Sequence, residues 1–357
     1  MFMPHKTIGI LGGGQLGRML VIAASQLGLR THVYAPDANN SPAGTLSHEC
    51  TEAAYDNLDA LATFGSNVDA VTSEFENVPA KTLAFIAKYC IVSPGQAALH
   101  TAQNRIREKS LAQDLGIKTP KFWHIASSED LIKAMAELNG DGILKTCQFG
   151  YDGKGQMRLS PNDDLMAGFA SLKTNDAILE EIILFHAEAS FLVARTASGT
   201  LSCFPASLNK HKNGILSCSL APADLPEAVI NEGQAAACAL AEALDVIGLL
   251  ALETFVTENN QLFFNEIAPR PHNSFHWTIE GCETSQFTQL IRTIAGMPLG
   301  GTRCYGKWRM DNLLGEDMES LDEIANREGL HIHLYGKEEA KTGRKMGHTN
   351  QQINSEQ

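Results

Sequence analysis

The chain has 357 residues, 44% hydrophobic and 19% charged, with 28 Lys and Arg against 41 Asp and Glu, a formal net charge of −13. That length exceeds one ordinary core and implies about two or three globular domains. The acidic balance argues against a general nucleic-acid or membrane surface, which needs basic patches, and no apolar run approaches the ~18–20 residues of a membrane span.

The first predicted elements lie in "TIGILGGGQLGRML", Thr7 to Leu20, an apolar strand, a glycine turn and the start of a helix. Gly12, Gly14 and Gly17 fit the G-x-G-x-x-G spacing of a dinucleotide site, and Asp37 stands twenty positions past Gly17, where such a site places its ribose-binding acid. That offset is easily met by chance, and Asp37 falls in the turn-rich "YAPDANNSPAG". Further strands follow at "RTHVYA", "VDAVTSEF" and "CIVS", with helical patterns at "LDALATF" and "AKTLAFIAKY". This alternation predicts a parallel α/β sheet whose ligands sit at the carboxyl ends of its strands. "SPGQAALHTAQNRIREKSLAQDLG" reads as a helical connection and "IKTP" as a boundary.

From about Phe122 the pattern becomes α+β. "GILKTC" and "GQMRLS" are strands flanking a glycine loop, "DLMAGFASL" is helical, and "AILEEII" through "FLVARTASGTLSCFP" reads as strands turning at "ASGT". A long helix, "LPEAVINEGQAAACALAEALD", precedes a hairpin, "LALETFVTENNQLFFNEIAP"; beyond Met297 comes a small tail with strand-like "HIHLYG". The start "MFMPHK" lacks the apolar core of a signal peptide, and eight cysteines without a C-x-x-C pair suit reduced thiols, so the expected location is the cytoplasm.

The second glycine loop, "KTCQFGYDGKGQ", can close its backbone amides over a phosphate chain, with Lys145 supplying charge; a plain flexible hairpin with an edge lysine is the other reading. In the hairpin, a two-residue turn at Asn259–Asn260 sets Glu253 opposite Glu266. Two carboxylates ~5 Å apart repel by roughly 3 kcal/mol at an effective dielectric of 20, so a cation between them is implied, and magnesium fits. A one-residue shift of the turn would separate them, and a role for both Asn265 and Glu266 requires a bulge. "NEIAPRPHNSFHWTIEG" then places Arg270, His272, Asn273 and Ser274 just past a strand end, where a polar cluster can meet a ligand. In the tail, Lys337, Lys341, Arg344 and Lys345 face Glu338 and Glu339; this is a solvated turn or, in so acidic a chain, an anion site.

Taken in order, "GGGQLGRML", "EFENVP", "GYDGKGQ", "NEIAPRPHNSFHWTIEGCETSQF" and "YGKEEAKTGRKMGH" resemble the 5-(carboxyamino)imidazole ribonucleotide synthetases, PurK-type ligases of the ATP-grasp superfamily. The resemblance spans nearly the whole chain. It implies an ATP-grasp fold with a Rossmann-like pre-ATP-grasp domain over 1–103, an ATP-grasp domain over 104–297 with a lid at about 120–182, and a small C-terminal domain over 298–357. It also implies the carboxylation of 5-aminoimidazole ribonucleotide with ATP and bicarbonate in purine biosynthesis, by a homodimer.

The resemblance carries roles onto matching positions. Arg105, Lys145 and the loop Gly150, Tyr151, Asp152, Gly153, Lys154, Gly155 and Gln156 would contact ATP. Glu180, Glu181, Ile182 and Ile183 would meet the adenine, Glu188 the ribose, and His211, Asn265 and Glu266 complete the nucleotide site. Glu253 and Glu266 would hold magnesium. Gly14, Gln15, Leu16, Glu74, Tyr151, Lys154, Arg270, His272, Asn273, Ser274, Lys337 and Arg344 would surround the ribonucleotide, with Asp152, Arg270, His272 and Lys337 nearest the chemistry. "SEFE" offers Glu76 as a second acid beside Glu74, and Asn104 replaces a more usual aspartate before Arg105. The first glycine turn would then hold the ribonucleotide phosphate, using a helix amino-terminus as an anion site. Two alternatives stay open: another ATP-grasp ligase such as glycinamide ribonucleotide synthetase, and a non-catalytic dinucleotide-binding protein. The ligase reading makes a prediction against the second. NAD and NADP are expected not to bind at millimolar concentration; calorimetry showing saturable binding that an Asp37 substitution removes would restore the dinucleotide reading.

Overall fold

In the computed structural model, which describes residues 6–148, 150 and 155–353, the alternating runs of the first hundred residues build a five-stranded parallel sheet. Its strands are β1 (Thr7–Leu11), β2 (Arg30–Ala35), β3 (Glu49–Glu52), β4 (Ala70–Ser73) and β5 (Ile91–Ser93), in the order β3-β2-β1-β4-β5. Helices α1 (Gln15–Gln26), α2 (Leu58–Ser66), α3 (Ala80–Ile86) and α4 (Gln96–Ala102) complete the unit. The central strand β1 is buried from Ile8 to Leu11, as parallel strands covered on both faces are. Strand order reverses at β1, so its carboxyl end, which carries the glycine turn, is the switch point where ligands collect. The edge strand β3 escapes a sequence reading because "ECTE" is polar and part-exposed throughout.

The connection read as helical contains α4 and α5 (Arg105–Asp114). Asn104 caps α5, its side-chain oxygen accepting from the amides of Ile106 and Arg107, so the asparagine does the capping work of an aspartate. The lid follows. Strands β6 (Phe122–Ile125), β7 (Gly142–Thr146), β8 (Gln156–Leu159) and β9 (Ala177–Glu181) form an antiparallel sheet ordered β6-β9-β7-β8, backed by α6 (Ser128–Leu138) and α7 (Leu165–Ser171). Ile125, Leu131, Met135, Leu144 and Leu179 give it a core of its own.

The body is a nine-stranded sheet. Strands β10 (Ala187–Arg195), β11 (Leu201–Cys203), β12 (Ser207–Lys212), β13 (Ile215–Ala221), β14 (Gly248–Val256), β15 (Leu262–Ala268), β16 (Lys307–Leu314), β17 (Leu330–Leu334) and β18 (Lys345–Ile353) run in the order β15-β14-β10-β12-β13-β16-β18-β17, with β11 on β10. Helices α8 (Glu227–Ala243), α9 (Thr278–Gly281) and α10 (Gln286–Ile294) belong to this part, and α11 (Leu321–Ala325) to the tail. The close packing of α8 on the sheet rests on Gly233, where a Cβ would lie 2.1 Å from the Phe191 ring. The tail does not stand apart: β16 pairs with β13 from Cys218–Asp311 to Ala221–Trp308, so the last three strands extend the body's sheet.

Candidate active site

The hairpin of β14 and β15 sets Glu253 directly across from Glu266. It gets there by a different route from a two-residue turn. The amide of Asn260 donates to Thr257 O and Asn260 takes φ 58°, which makes a three-residue loop, a type I turn followed by a left-handed residue. Near the turn the strands therefore pair one residue out, Thr254 with Phe264, and a bulge at Asn265 restores Glu253 to Glu266. The shift that would have separated the acids and the bulge that a role for Asn265 requires both occur, and they cancel.

Each acid of the pair has a nitrogen partner. His272 Nε2 lies 2.8 Å from Glu253 Oε1, and Arg105 Nη1 donates to Glu266 Oε2 at 3.0 Å. Burial would raise the Glu253 carboxyl, but His272, His211 and Arg270 hold it down to about 2. His272 is fixed on every side: Nδ1 meets Ser274 Oγ at 2.8 Å, its amide donates to Gln286 Oε1, and Gln286 Nε2 donates to its carbonyl. Ser274 is fully buried and reaches the site through that histidine. Arg270 Nε donates to Glu76, whose carboxyl burial would raise but which Arg270 and then His272 lower to about 2. Of the two acids in "SEFE", Glu76 thus anchors Arg270.

Glu74 does something else. It sits under the first glycine turn, accepting from the amides of Gly14 at 2.5 Å and Gly17 at 2.7 Å. A carboxylate therefore occupies two of the amides expected to hold a phosphate, and Gly12 and Gly14 are required there because a Cβ on either would come within 2.7 Å of Glu74. The amides of Gln15 and Leu16, in the same first turn of α1, have no hydrogen-bonded partner among the described residues. Burial raises the Glu74 carboxyl above its usual range, against the two amides, Lys337 and Arg270. Lys337 brings the tail to this point. Its ammonium donates to Lys345 O at 2.6 Å, and burial, then Arg344, against the pull of Glu74, lowers it to about 8. Lys341 instead pairs with Glu339 on the surface, the solvated part of the run.

On the lid, Lys145 donates to Glu180 Oε2 at 2.9 Å, and Glu180 also lies 3.5 Å from Lys109, a fully buried lysine. Burial would raise Glu180, but Lys109, Lys145 and Arg105 lower it to about 2. Glu181 is tied to the amide of Lys121, and Ile182 and Ile183 lead into the exposed Leu184 and Phe185. In the body, Glu188 meets His211 Nδ1 at 3.0 Å, and Glu188 with Glu253 raises that histidine against its burial. Gly150, Gly155 and Gln156 bound the second glycine loop; Tyr151, Asp152, Gly153 and Lys154 lie outside the described residues.

Sequence reasoning named Arg105 on α5 but missed Glu108 and Lys109 beside it. Arg105, Glu108 and Lys109 lie at i, i+3 and i+4 on one side of the helix, and Lys109 Nζ donates to Asn265 O at 2.9 Å, pinning the bulge. Glu108 is buried beside Glu266 and Arg105, and its carboxyl is pushed well above the usual range by burial and then Glu266. The i, i+3, i+4 spacing of these charges on one helix face was the available signal. Glu76, Gln286 and Lys109 act through tertiary contacts that no local spacing reveals.

The donor set suits magnesium. Glu253 Oε2 and Glu266 Oε1 have no hydrogen-bonded partner among the described residues, and two carboxylates offer the hard oxygens this ion takes with phosphate.

Comparisons with known proteins agree in every segment. Residues 5–103 match the ribonucleotide synthetase preATP-grasp domain, 110–287 the ATP-grasp domain and 309–356 the phosphoribosylaminoimidazole carboxylase C-terminal domain. An N5-carboxyaminoimidazole ribonucleotide synthase of Brucella melitensis is 43% identical over 97% of this chain and 96% of its own. A bifunctional purine synthesis protein purC/E of Dictyostelium discoideum is 42% identical over 98% of this chain, which spans 37% of that longer protein. Among solved structures, N5-carboxyaminoimidazole synthetase from Staphylococcus aureus complexed with ADP is 36% identical with a TM-score of 0.93, covering 98% of this chain and 94% of its own. The Aspergillus clavatus enzyme in complex with ADP and 5-aminoimidazole ribonucleotide is 28% identical with a TM-score of 0.91, covering 99% and 95%.

The lowered carboxyls set an acid dependence. Glu76, Glu180 and Glu253 hold their charge down to about 2 when folded, against about 4.3 for an unfolded glutamate. Between those values the unfolded chain binds more protons, so the stabilisation is present above about pH 4.3 and is lost as pH falls toward 2. Urea unfolding between about pH 2 and 4.3 is expected to show stability rising with pH, the raised carboxyls of Glu74 and Glu108 opposing it only above that window, with Glu76→Gln reducing the slope by up to one proton. An unchanged slope would remove Glu76 from the ionised network.

Proposed function

The chain belongs to the N5-carboxyaminoimidazole ribonucleotide synthetase family of ATP-grasp ligases, and on that premise we propose how its side chains divide the work. The reaction is the ATP-dependent carboxylation of 5-aminoimidazole ribonucleotide in purine synthesis, with bicarbonate as the carbon source and ADP and phosphate as products. One observation carries the assignment of roles: the facing carboxylates Glu253 and Glu266 stand where the lid, α5 and the loop after β15 converge. Magnesium, held there when bound, supplies charge neutralisation to the phosphate oxygens of ATP.

Arg105 and Lys145 meet the ATP phosphates, released from Glu266 and Glu180 as those oxygens arrive. The exposed apolar run after β9, with Leu184 85% exposed, supports an adenine slot beside Ile182 and Ile183. Glu188, braced by His211, faces the ribose. Arg270 and His272 orient bicarbonate and the incoming amine: Arg270 is fixed by Glu76 and His272 by Ser274 and Gln286, so neither reorganises during the reaction. Asn273 is assigned to the ribonucleotide on the family motif; both its polar side-chain atoms are buried without a partner among the described residues.

The ribonucleotide phosphate lies between the Gln15 and Leu16 amides and the cations Lys337 and Arg344. Glu74, held by Gly14 and Gly17, keeps acceptor capacity for a ribose hydroxyl. Tyr151, Asp152, Gly153 and Lys154 are assigned to the two substrates on the strength of the family motif alone, with Asp152 as the acceptor of the amine proton. Exclusion of water by the lid protects the activated carboxyl from hydrolysis. The domain limits at 103 and 297 belong to the same proposal. So do a homodimer, which analytical ultracentrifugation tests, and a cytoplasmic location, which fractionation tests.

Phosphate release from ATP is expected to require both aminoimidazole ribonucleotide and bicarbonate. Glu266→Gln is expected to lower turnover by about 10²-fold or more while ribonucleotide binding stays within a few fold. Wild-type turnover of that variant at limiting magnesium would overturn the metal assignment.

Lys337 sets the alkaline limit. It is charged below about pH 8 and neutral above, so catalytic efficiency for the ribonucleotide is expected to fall as pH rises through about 8. Lys337→Arg should flatten that limb, while Lys337→Ala and Arg344→Ala should each lose about ten- to hundredfold, with the ATP parameters little changed. Wild-type ribonucleotide parameters in both alanine variants would return the tail to a structural role.

A further inference from the structure

Beside the nucleotide residues but using none of them, the lid sheet brings three metal-ligating side chains to one edge. His124 lies on β6, Cys147 directly follows β7 and Asp176 directly precedes β9, and these strands are neighbours in the order β6-β9-β7. The amide of Cys147 donates to Asp176 O at 3.0 Å, which fixes the two chain ends together. His124 Nε2 lies 3.0 Å from Asp176 Oδ1, and the imidazole nitrogen, thiol sulfur and carboxylate oxygen all lie within 4.8 Å of one another.

The donor chemistry decides which ions this place can take. A thiol with an imidazole and one carboxylate is a borderline-soft set that favours zinc and its neighbours over magnesium or calcium, which take oxygen alone. Cys147 is buried, whereas His124 and Asp176 are 54% and 36% exposed, so an ion has a path in from solvent and water can fill a fourth position. Gln148 Nε2 donates to Asp176 Oδ2 at 3.2 Å, steadying the carboxylate from outside the triad. Burial, then the Asp176 hydrogen bond, holds Cys147 protonated in the free protein.

We propose that His124, Cys147 and Asp176 form a binding site for one divalent transition ion of the zinc class, separate from the magnesium carboxylates. Binding forms a sulfur–metal bond as the Cys147 thiol proton leaves to solvent; the hydrogen bonds of Asp176 to His124 and Cys147 are exchanged for metal–ligand bonds, and nothing is oxidised or reduced. The ion ties three segments of the lid sheet together next to the head of α5, where Cys147 O accepts from the amide of Arg105 at 3.1 Å.

Cobalt titration of the reduced, chelator-treated full chain tests this. One equivalent is expected to bind with a sulfur-to-cobalt charge-transfer band and to be displaced by zinc. Cys147→Ser should abolish the band, His124→Ala should weaken binding by about tenfold or more, and Cys238→Ser should bind as wild type. Zinc should raise the melting temperature of the wild type but not of His124→Ala, whose side chain is exposed and whose folding is therefore spared. A band that survives Cys147→Ser, wild-type affinity in His124→Ala, or no binding at micromolar cobalt or zinc would each overturn the proposal.

Discussion

Two like charges facing each other across a pair of strands constrain everything built around them. Glu253 and Glu266 share a face only because Asn265 bulges, and the bulge persists because Lys109, with no water around it, donates to the Asn265 carbonyl. The same helix sends Arg105 to Glu266, and the loop leaving β15 sends His272 to Glu253. One short helix and one short loop therefore supply the partners of both carboxylates. Removing the bulge would turn Glu266 to the opposite face and leave Arg105 without its partner.

Much of this was legible in the sequence, unevenly. The parallel sheet was readable because its strands are short apolar runs between amphipathic helices, and the facing glutamates because a hairpin fixes pairing by counting. The count reached the right pair through a wrong turn: a three-residue loop and a bulge offset each other, and backbone dihedrals of that kind leave little trace in residue type beyond the asparagine at 260. β16 and β18 were illegible for another reason. In "KMGHTNQQI" the buried positions include His348, Thr349 and Asn350, which are polar yet paired within the sheet, so the apolar alternation that announces a strand is missing. The division of labour between Glu74 and Glu76 could not be read at all, since one binds a glycine turn some sixty residues earlier and the other an arginine nearly two hundred later.

The first glycine turn shows how a motif can be right in shape and misleading in ligand. Its glycines are needed for close approach, as the spacing implies, but what approaches is a carboxylate of the protein itself. A helix amino-terminus already facing a negative group presents less net attraction to a second anion. Lys337, near enough to Glu74 to lower its carboxyl, adds positive charge at the same point.

The pairing of β13 with β16 separates two meanings of the word domain. By family match, residues 309–356 are a segment of their own; mechanically, they and the strand pairing with β13 add three strands to a sheet that begins with the strands of Glu253 and Glu266. A chain ended at 297 would present β13, "ILSCSLA", as a bare edge whose amides and carbonyls pair readily with any passing strand. Inherited boundary and folding boundary therefore do not coincide here, and a fragment cut at the first would inherit a sticky seam rather than an independent enzyme core.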